Sequence, residues 1–355
     1  MKEFDFRRVN HLKWDSEIAF LISQIKEYQK RLNLYQMEKT QILDKLMEEA
    51  KIQLGDNSNY PEKSLTTSTR WKEMIFQGSL PRDNSEEEIL RYSNTTDYIL
   101  ENYKNIPVTA QNISFLHRKL YEKPAKIEEN QFKRNDFSFT VFSDEIDESL
   151  ASPVGFFDSM GELHKLCEEY HLAICQNLAE PLLMIPIFIS DFIYLHPFRM
   201  GNENLCILLM ILLLCHAGYP IEKYTKIEKI IENHRWKWLD SLSYLERGWQ
   251  DNTCDSMPFI KCFLKTIWTA YRILEERILI IEEKRTYYWH VKVTISHIRE
   301  RFLKKELQNM CPSVDKILVS QIIKKLLEEG YVFEIRRGPR VYYKKYRFYP
   351  RFPQK

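Results

Sequence analysis

The segment Tyr194-Leu-His-Pro-Phe-Arg-Met-Gly-Asn-Glu-Asn-Leu205 sets a histidine, a glycine and two polar amides within nine residues, a grouping suited to acid–base work on a bound anion. His196 falls in a short loop, marked by Pro197 and Gly201, between two apolar stretches. Loop residues held between rigid helices are favoured positions for catalysis. Gly201–Asn202 leads into a helix N-terminus, where outward N–H groups and the helix dipole favour an anion such as phosphate. A histidine beside such a cradle is placed to act as a general base. The plainer reading makes Gly201–Asn202 a simple helix start and His196 a buried, hydrogen-bonded histidine.

A second set of chemical residues lies near the other end of the sequence. From Arg285 to Lys355 there are 17 Lys+Arg against 6 Asp+Glu, a net of +11. The other 284 residues hold 35 against 44, a net of −9, so the whole-chain value of +2 hides an acidic body and a basic tail. Such asymmetry points the basic part toward nucleic acid or a membrane surface. The candidate DNA contacts are Ser320, Gln321, Lys324 and Lys325 on a helix, and Arg336 and Arg340 on a strand-like ribbon. The alternative is a protein-binding module whose basic face is only solvated.

Helices make up most of the scaffold around these residues. Residues 14–53 read as helical, with apolar residues at three- and four-residue steps (Ile18, Leu21, Ile22, Ile25, Tyr28, Leu32) and Asp15 or Ser16 as the cap. Residues 54–64 are turn-rich. Ser68–Gln77 reads as a helix stopping at Gly78. Ser85 opens a Ser-x-x-Glu capping pattern for the next helix, and another starts near Thr109 and runs to Tyr121. Alternation at Phe137, Phe139 and Val141 predicts a small β-hairpin or flap within 122–160. Helices return from Ser159. Leu205–Cys215 is the longest apolar run at 11 residues, too short to span a bilayer and suited to a core helix. In the tail, a helix around Ile295–Lys305, a short helix capped by Ser313 and a helix over Val319–Glu329 precede two strands joined at Gly338–Pro339. That is the order of a winged helix-turn-helix.

Composition excludes other classes. With 44% hydrophobic and 13% aromatic residues the chain has ample core material and is not a disordered polymer. Length suggests two or three domains at about 100–200 residues each. The seven scattered cysteines, with no C-x-x-C pair, fit reduced thiols in a cytoplasmic protein better than a disulfide frame or a zinc site. MKEFDFRRVN has no apolar stretch of the signal-peptide kind.

The segment at His196 resembles the signature of the Fic family, H-x-F-x-[D/E]-G-N-G-R-x-x-R. His196, Phe198, Gly201 and Asn202 match, and Leu195-His196-Pro197-Phe198-Arg199 is similar to the family's usual I-H-P-F-R. Helices before the motif, a flap and a long apolar helix after it fit the same resemblance. Trp14-Asp15 with its following helix is similar to the helical extension of many bacterial Fic proteins. The resemblance implies a mainly α fold: a helical extension over 1–60, a Fic-like core with a small flap over 61–284, and a winged helix-turn-helix over 285–355.

It also implies transfer of AMP from ATP, with Mg²⁺, to a hydroxyl on a protein substrate, with His196 as base. Phe198, Gly201, Asn202, Glu203 and Asn204 would line the nucleotide site. Four signature positions depart from the pattern. Met200 replaces the acidic Mg²⁺ ligand, and a thioether is no substitute for a hard oxygen donor. Glu203 replaces a glycine and places a carboxylate where phosphates would sit. Asn204 and Ile207 replace the two arginines, removing phosphate-pairing charge. Because phosphoryl-type transfer rests on positioning and charge neutralisation, ordinary ATP use should be impaired. The family's inhibitory pattern [S/T]-x-x-x-E-[G/N] has a candidate in Thr69 and Glu73, followed by Met74 where Gly or Asn would stand. The alternative makes Glu73 a surface residue on a capped helix.

Two functions follow: a Fic-type transferase with altered nucleotide use, or a non-catalytic Fic-like regulator acting on DNA through 285–355. The partner set is a protein substrate, DNA and a second copy of the chain, with no membrane.

Overall fold

The computed structural model describes residues 3–12, 15–55, 68–121, 159–246, 248–282, 286–298, 301–337 and 340–345. The flap expected from Phe137, Phe139 and Val141 lies outside the described residues, as does Trp14.

After a 3-10 turn at Phe6–His11 come α1 (Ser16–Glu38) and α2 (Thr40–Gly55). Asp15 caps α1, its Oδ1 accepting the Ile18 N–H at 3.1 Å. Ile18, Leu21, Ile22, Ile25 and Leu32 are buried, as the spacing required, and Tyr28 stacks on Tyr271. The helical stretch expected over 14–53 is divided into two helices. Lys39 leaves helical geometry (φ −129°, ψ 35°), and its carbonyl accepts the N–H groups of Ile42 and Leu43 to start α2. The bend turns Leu43, Leu46 and Ala50 into the core, a demand of packing that local pattern does not report.

Next come α3 (Ser68–Gln77), α4 (Asn84–Asn102) and α5 (Ala110–Tyr121). The cap of α4 is Asp83, not Ser85: its Oδ1 accepts the Glu86 N–H at 2.8 Å. Glu86, three residues on, accepts the Arg82 N–H at 2.8 Å and pairs with Arg70, so the cap lies two residues earlier than the sequence suggested and Glu86 reaches the residue before it. Thr109 does hold the first turn of α5, accepting from the Asn112 N–H at 3.2 Å.

The centre is α6 (Ser159–Cys175), α7 (Pro181–Leu195) and α8 (Asn202–His216). Almost every residue of α7 and α8 is buried, which matches helices apolar on all sides. Asp191 is buried within α7, and its charge is compensated from afar. Arg8 donates to Asp191 Oδ2 at 2.6 Å and to Asn252 Oδ1 at 2.9 Å, while Trp249 Nε1 donates to Asp191 Oδ1 at 2.9 Å. Helices α9 (Ile227–Asn233), α10 (Arg235–Glu246) and α11 (Met257–Glu282) complete the main core, α11 lying along α1 and α10.

A second hydrophobic core is built from α12 (Tyr287–His297), β1 (Arg301–Phe302), α13 (Lys304–Met310), α14 (Lys316–Glu328), β2 (Val332–Arg337) and β3 (Arg340–Lys345). The three strands form an antiparallel sheet in the order β1-β3-β2. The first helix lies earlier than expected, and the two-residue β1 separates it from α13. Asp315, not Ser313, caps α14, accepting from Ile317 N–H at 2.7 Å. Ser313 instead turns toward α11, giving its hydroxyl at 2.7 Å and its N–H at 3.3 Å to Glu276 Oε2.

No described helix is long and apolar enough to cross a membrane. All seven cysteines are free.

Candidate functional site at the α7–α8 loop

Helix α7 ends on His196, which takes a left-handed conformation (φ 45°, ψ 58°) and donates its N–H to Phe192 O at 3.0 Å. A left-handed non-glycine residue costs about 1–2 kcal/mol, although histidine is among the residues that tolerate it. The conformation turns the chain sharply away from α7 and leaves His196 half-buried at the loop's start.

Two residues lock the loop. Phe198 is fully buried, with its ring stacked on His117 of α5 at 4.0 Å and 8°. The Asn202 side chain closes the turn with two bonds: its Oδ1 accepts the Phe198 N–H at 3.0 Å, and its Nδ2 donates to Phe198 O at 2.8 Å. A buried amide satisfied in this way fixes the loop relative to α8. His117 adds a third tie. Its Nε2 donates to Met200 O at 2.9 Å, which sets the tautomer with the proton on Nε2.

Gly201 begins α8 at φ 76°, also left-handed, where glycine is unstrained. A second demand falls on the same residue. A Cβ there would lie 2.1 Å from Tyr121 Cε2 and 2.6 Å from its hydroxyl oxygen. The phenol of Tyr121, at the end of α5, therefore rests directly on the first turn of α8. It accepts a hydrogen bond from Asn204 Nδ2 at 3.0 Å. Burial first, then the nearby carboxylates of Glu88 and Glu203, hold the phenol above its usual pKa, while the Asn204 bond and Arg91 oppose them. It stays a neutral hydroxyl at physiological pH.

The remaining positions face outward. Arg199 and Met200 are exposed, Met200 at 61%. Glu203 is exposed on the first turn of α8, a favourable place for a carboxylate against the helix dipole and an unfavourable one beside a phosphate. Ile207 is half-buried against the core.

His196, Phe198, Gly201, Asn202, Glu203 and Asn204 thus come together in one loop and helix start. Sequence reasoning missed His117 and Tyr121. They stand four residues apart on α5, a spacing that puts both on one face, but nothing local tells that this face meets residues 198–204.

Glu73 is elsewhere. It sits on α3 in an ion pair with Arg70 of the same helix at 3.5 Å, and Arg70 also pairs with Glu86 at 3.1 Å. Ile207 offers no charge for Glu73 to meet. Thr69 belongs to the same helix, but nothing of its side chain is described.

In the second core, Gln321, Lys324 and Lys325 are exposed on α14, and Arg336 is exposed on β2 beside Glu334 at 2.7 Å. Lys325 lies 4.8 Å over the Tyr288 ring. Ser320 donates back to Lys316 O at 2.7 Å and accepts from Lys304, so it is less free than the expected contact role requires. Arg340 opens β3, and its side chain is not described.

Comparison with known proteins adds to this geometry. The Fic/DOC family model matches residues 107–214, a span running from just before α5 nearly to the end of α8. A Fic family protein from Desulfovibrio desulfuricans G20 superposes with a TM-score of 0.59 at 16% identity, covering 96% of this chain and 99% of its own. A Fic domain containing signaling protein from Bacteroides thetaiotaomicron VPI-5482 superposes with a TM-score of 0.57 at 18% identity, covering 76% of this chain and 98% of its own. Comparison with curated proteins gave no match. At these identities the structural likeness speaks to fold alone. Together with the matched segment it shows a Fic-like helical fold, with residues 107–214 similar to the Fic/DOC family.

Proposed function

We propose that this protein is a Fic-fold regulator: its signature loop no longer serves metal-dependent nucleotide transfer, and its C-terminal unit binds DNA. The observation that carries the first half is the seat of Tyr121. Its ring occupies the space against Gly201, and its hydroxyl holds Asn204, at the helix start where a phosphate would need open N–H groups. Met200 supplies no hard donor, Glu203 adds negative charge, and neither Asn204 nor Ile207 brings a cation. The residues present do not fit ATP with Mg²⁺, and no step through that pair is derived. What remains of the loop is scaffolding: the Asn202 clamp and the Phe198–His117 stack hold α7, α8 and α5 together.

The second half rests on the order α12–β1–α13–α14–β2–β3, which is that of a winged helix-turn-helix. In that arrangement α14 would enter the major groove while basic ribbon residues hold phosphates. Exposed Gln321, Lys324 and Lys325, with Arg336 on the ribbon, support it, as does the net of +11 over 285–355.

A second reading is favoured by one observation. His196 is kept in its left-handed, half-buried position, where a base would act on a protein hydroxyl. A Fic-type transferase with a different nucleotide donor would use it so. Calorimetry separates the two. The regulator reading expects no Mg²⁺-dependent heat with ATP; tight Mg²⁺-dependent binding would sink it. Salt-dependent retention of duplex DNA, lost on Lys324→Glu with Lys325→Glu, tests the other half.

A further inference from the structure

The start of α14 does not stand alone in solvent. Lys316 Nζ lies 3.5 Å from Asn233 Oδ1, at the end of α9 in the main body. The neighbouring bonds from Ser313 to Glu276 of α11 hold the same end of the C-terminal unit in place. In helix-turn-helix binding it is the N-terminal part of the recognition helix that meets base edges. A duplex docked there must also meet the α9–α10 corner.

That corner is exposed throughout Asn233–Lys237. It carries Arg235 and Lys237, with Trp236 64% exposed between them. Across from it, Lys305 of α13 and Lys316 of α14 are exposed as well. His234 registers the crowding of positive charge. After burial, the nearby Lys237, Lys316 and Lys305 all hold its pKa below the usual histidine range. The main body is acidic by composition, yet at this corner it turns basic and presents a large indole. Charge of one sign from two units on one exposed surface is what a phosphate backbone would neutralise.

We propose that the α9–α10 corner, through Arg235, Trp236 and Lys237, forms one continuous duplex-binding surface with Lys305 and Lys316, so that DNA is held by both units at once. This rests on the DNA-binding reading above and deepens it by assigning body residues to the interface. The cations contact backbone phosphates beside the groove that α14 enters, and Trp236 packs against the sugar edge.

The test uses the full chain and a mixed-sequence DNA duplex, with retention measured across a salt series. Each phosphate contact contributes a slope of about −0.9 in log K against log salt, so Arg235→Glu with Lys237→Glu should flatten the slope by roughly two contacts and lower affinity at least about tenfold. Trp236→Ala should weaken binding a few-fold with the slope unchanged. All three side chains are exposed, so the unfolding midpoint should stay put and confirm that the variants fold. Unchanged affinity and slope in the corner variant, with loss in Lys324→Glu/Lys325→Glu, would overturn the composite surface and leave the DNA reading standing. Tighter binding by the corner variant would also overturn it, marking the corner as an obstacle. Absence of salt-dependent retention by the unaltered chain would refute the DNA reading itself, as would retention by polyglutamate in place of the duplex.

Discussion

The signature loop and the C-terminal unit treat charge in opposite ways. At the loop, positions that would hold a metal and phosphates carry a thioether, a carboxylate, an amide and an aliphatic side chain, and a neutral phenol covers the helix start. In the C-terminal unit, cations accumulate on exposed helix and strand positions. The loop is over-determined by packing: Phe198, Asn202, His117 and Tyr121 all fix one turn. The basic face is barely packed at all. On the function proposed above, the loop serves its neighbours through packing, whereas the basic face would serve a partner through exposed charge.

Four experiments test that contrast. The largest effect is expected from rebuilding the loop. Met200→Asp, Glu203→Gly and Asn204→Arg, combined with Tyr121→Ala to clear the helix start, should take ATP with Mg²⁺ from no measurable heat to a Kd of about 1 mM or tighter, roughly 4 kcal/mol. If calorimetry stays silent, the fold has lost more than its charges. Next is Gly201→Ala, which forces a Cβ into Tyr121 at a left-handed position and should cost about 2–4 kcal/mol in urea unfolding. Adding Tyr121→Ala should return the clash portion and leave only the backbone portion. An undamaged Gly201→Ala protein would show that the phenol does not sit there.

Third, Lys324→Glu with Lys325→Glu should lower duplex affinity about 100-fold, near 2.7 kcal/mol, with a flatter salt slope. Equal loss at all salt concentrations would mean damage to the helix instead of lost phosphate contacts. The smallest effect concerns the seam between the two regions. Contacts with Cys311 and then Glu276 raise His290 to about 9, against opposing burial, and its Nε2 stands 3.7 Å from Glu276 Oε2. A raised histidine stabilises fully below its unfolded value near 6.5, and that contribution fades as pH climbs through about 9. After discount for partial exposure it is worth about 1 kcal/mol. Protection of the 313–316 amides, after correction for base-catalysed exchange, should fall over this window, and Glu276→Gln should lessen the dependence, Cys311 being the larger contributor.

Much of this architecture was legible from local pattern. The apolar steps of α1, its Asp15 cap, the Thr109 start of α5 and the all-apolar α8 each follow from period and capping chemistry. The loop position of His196 and the glycine at the start of α8 were legible too. What escaped was long-range. The break at Lys39 exists because α2 must reach a core built largely from later residues. Asp83 outcompeted Ser85 because its partner Glu86 also had Arg70 to pair with, from a different helix. Ser313 gave up a capping role for a carboxylate 37 residues earlier. Tyr121 on Gly201 joins residues 80 apart, and only the folded chain brings them to one place.

The strap from Arg8 bears on how such a chain is made. Asp191 is separated from Arg8 by 183 residues, and Arg8 from Asn252 by 244. During synthesis α7 emerges well before Trp249 and Asn252 do, so its buried carboxylate waits with only part of its shell of donors. Loops this long are closed at an entropic cost that grows only slowly with length, about 0.6 kcal/mol per doubling, so the delay is one of timing more than of energy. The turn at His196, five residues beyond Asp191, has its own ties to Phe192, Phe198, Asn202 and His117 and does not wait for residues 249–252; only the carboxylate behind it does. A chain halted short of them carries Asp191 with its Arg8 partner but without the Trp249 N–H.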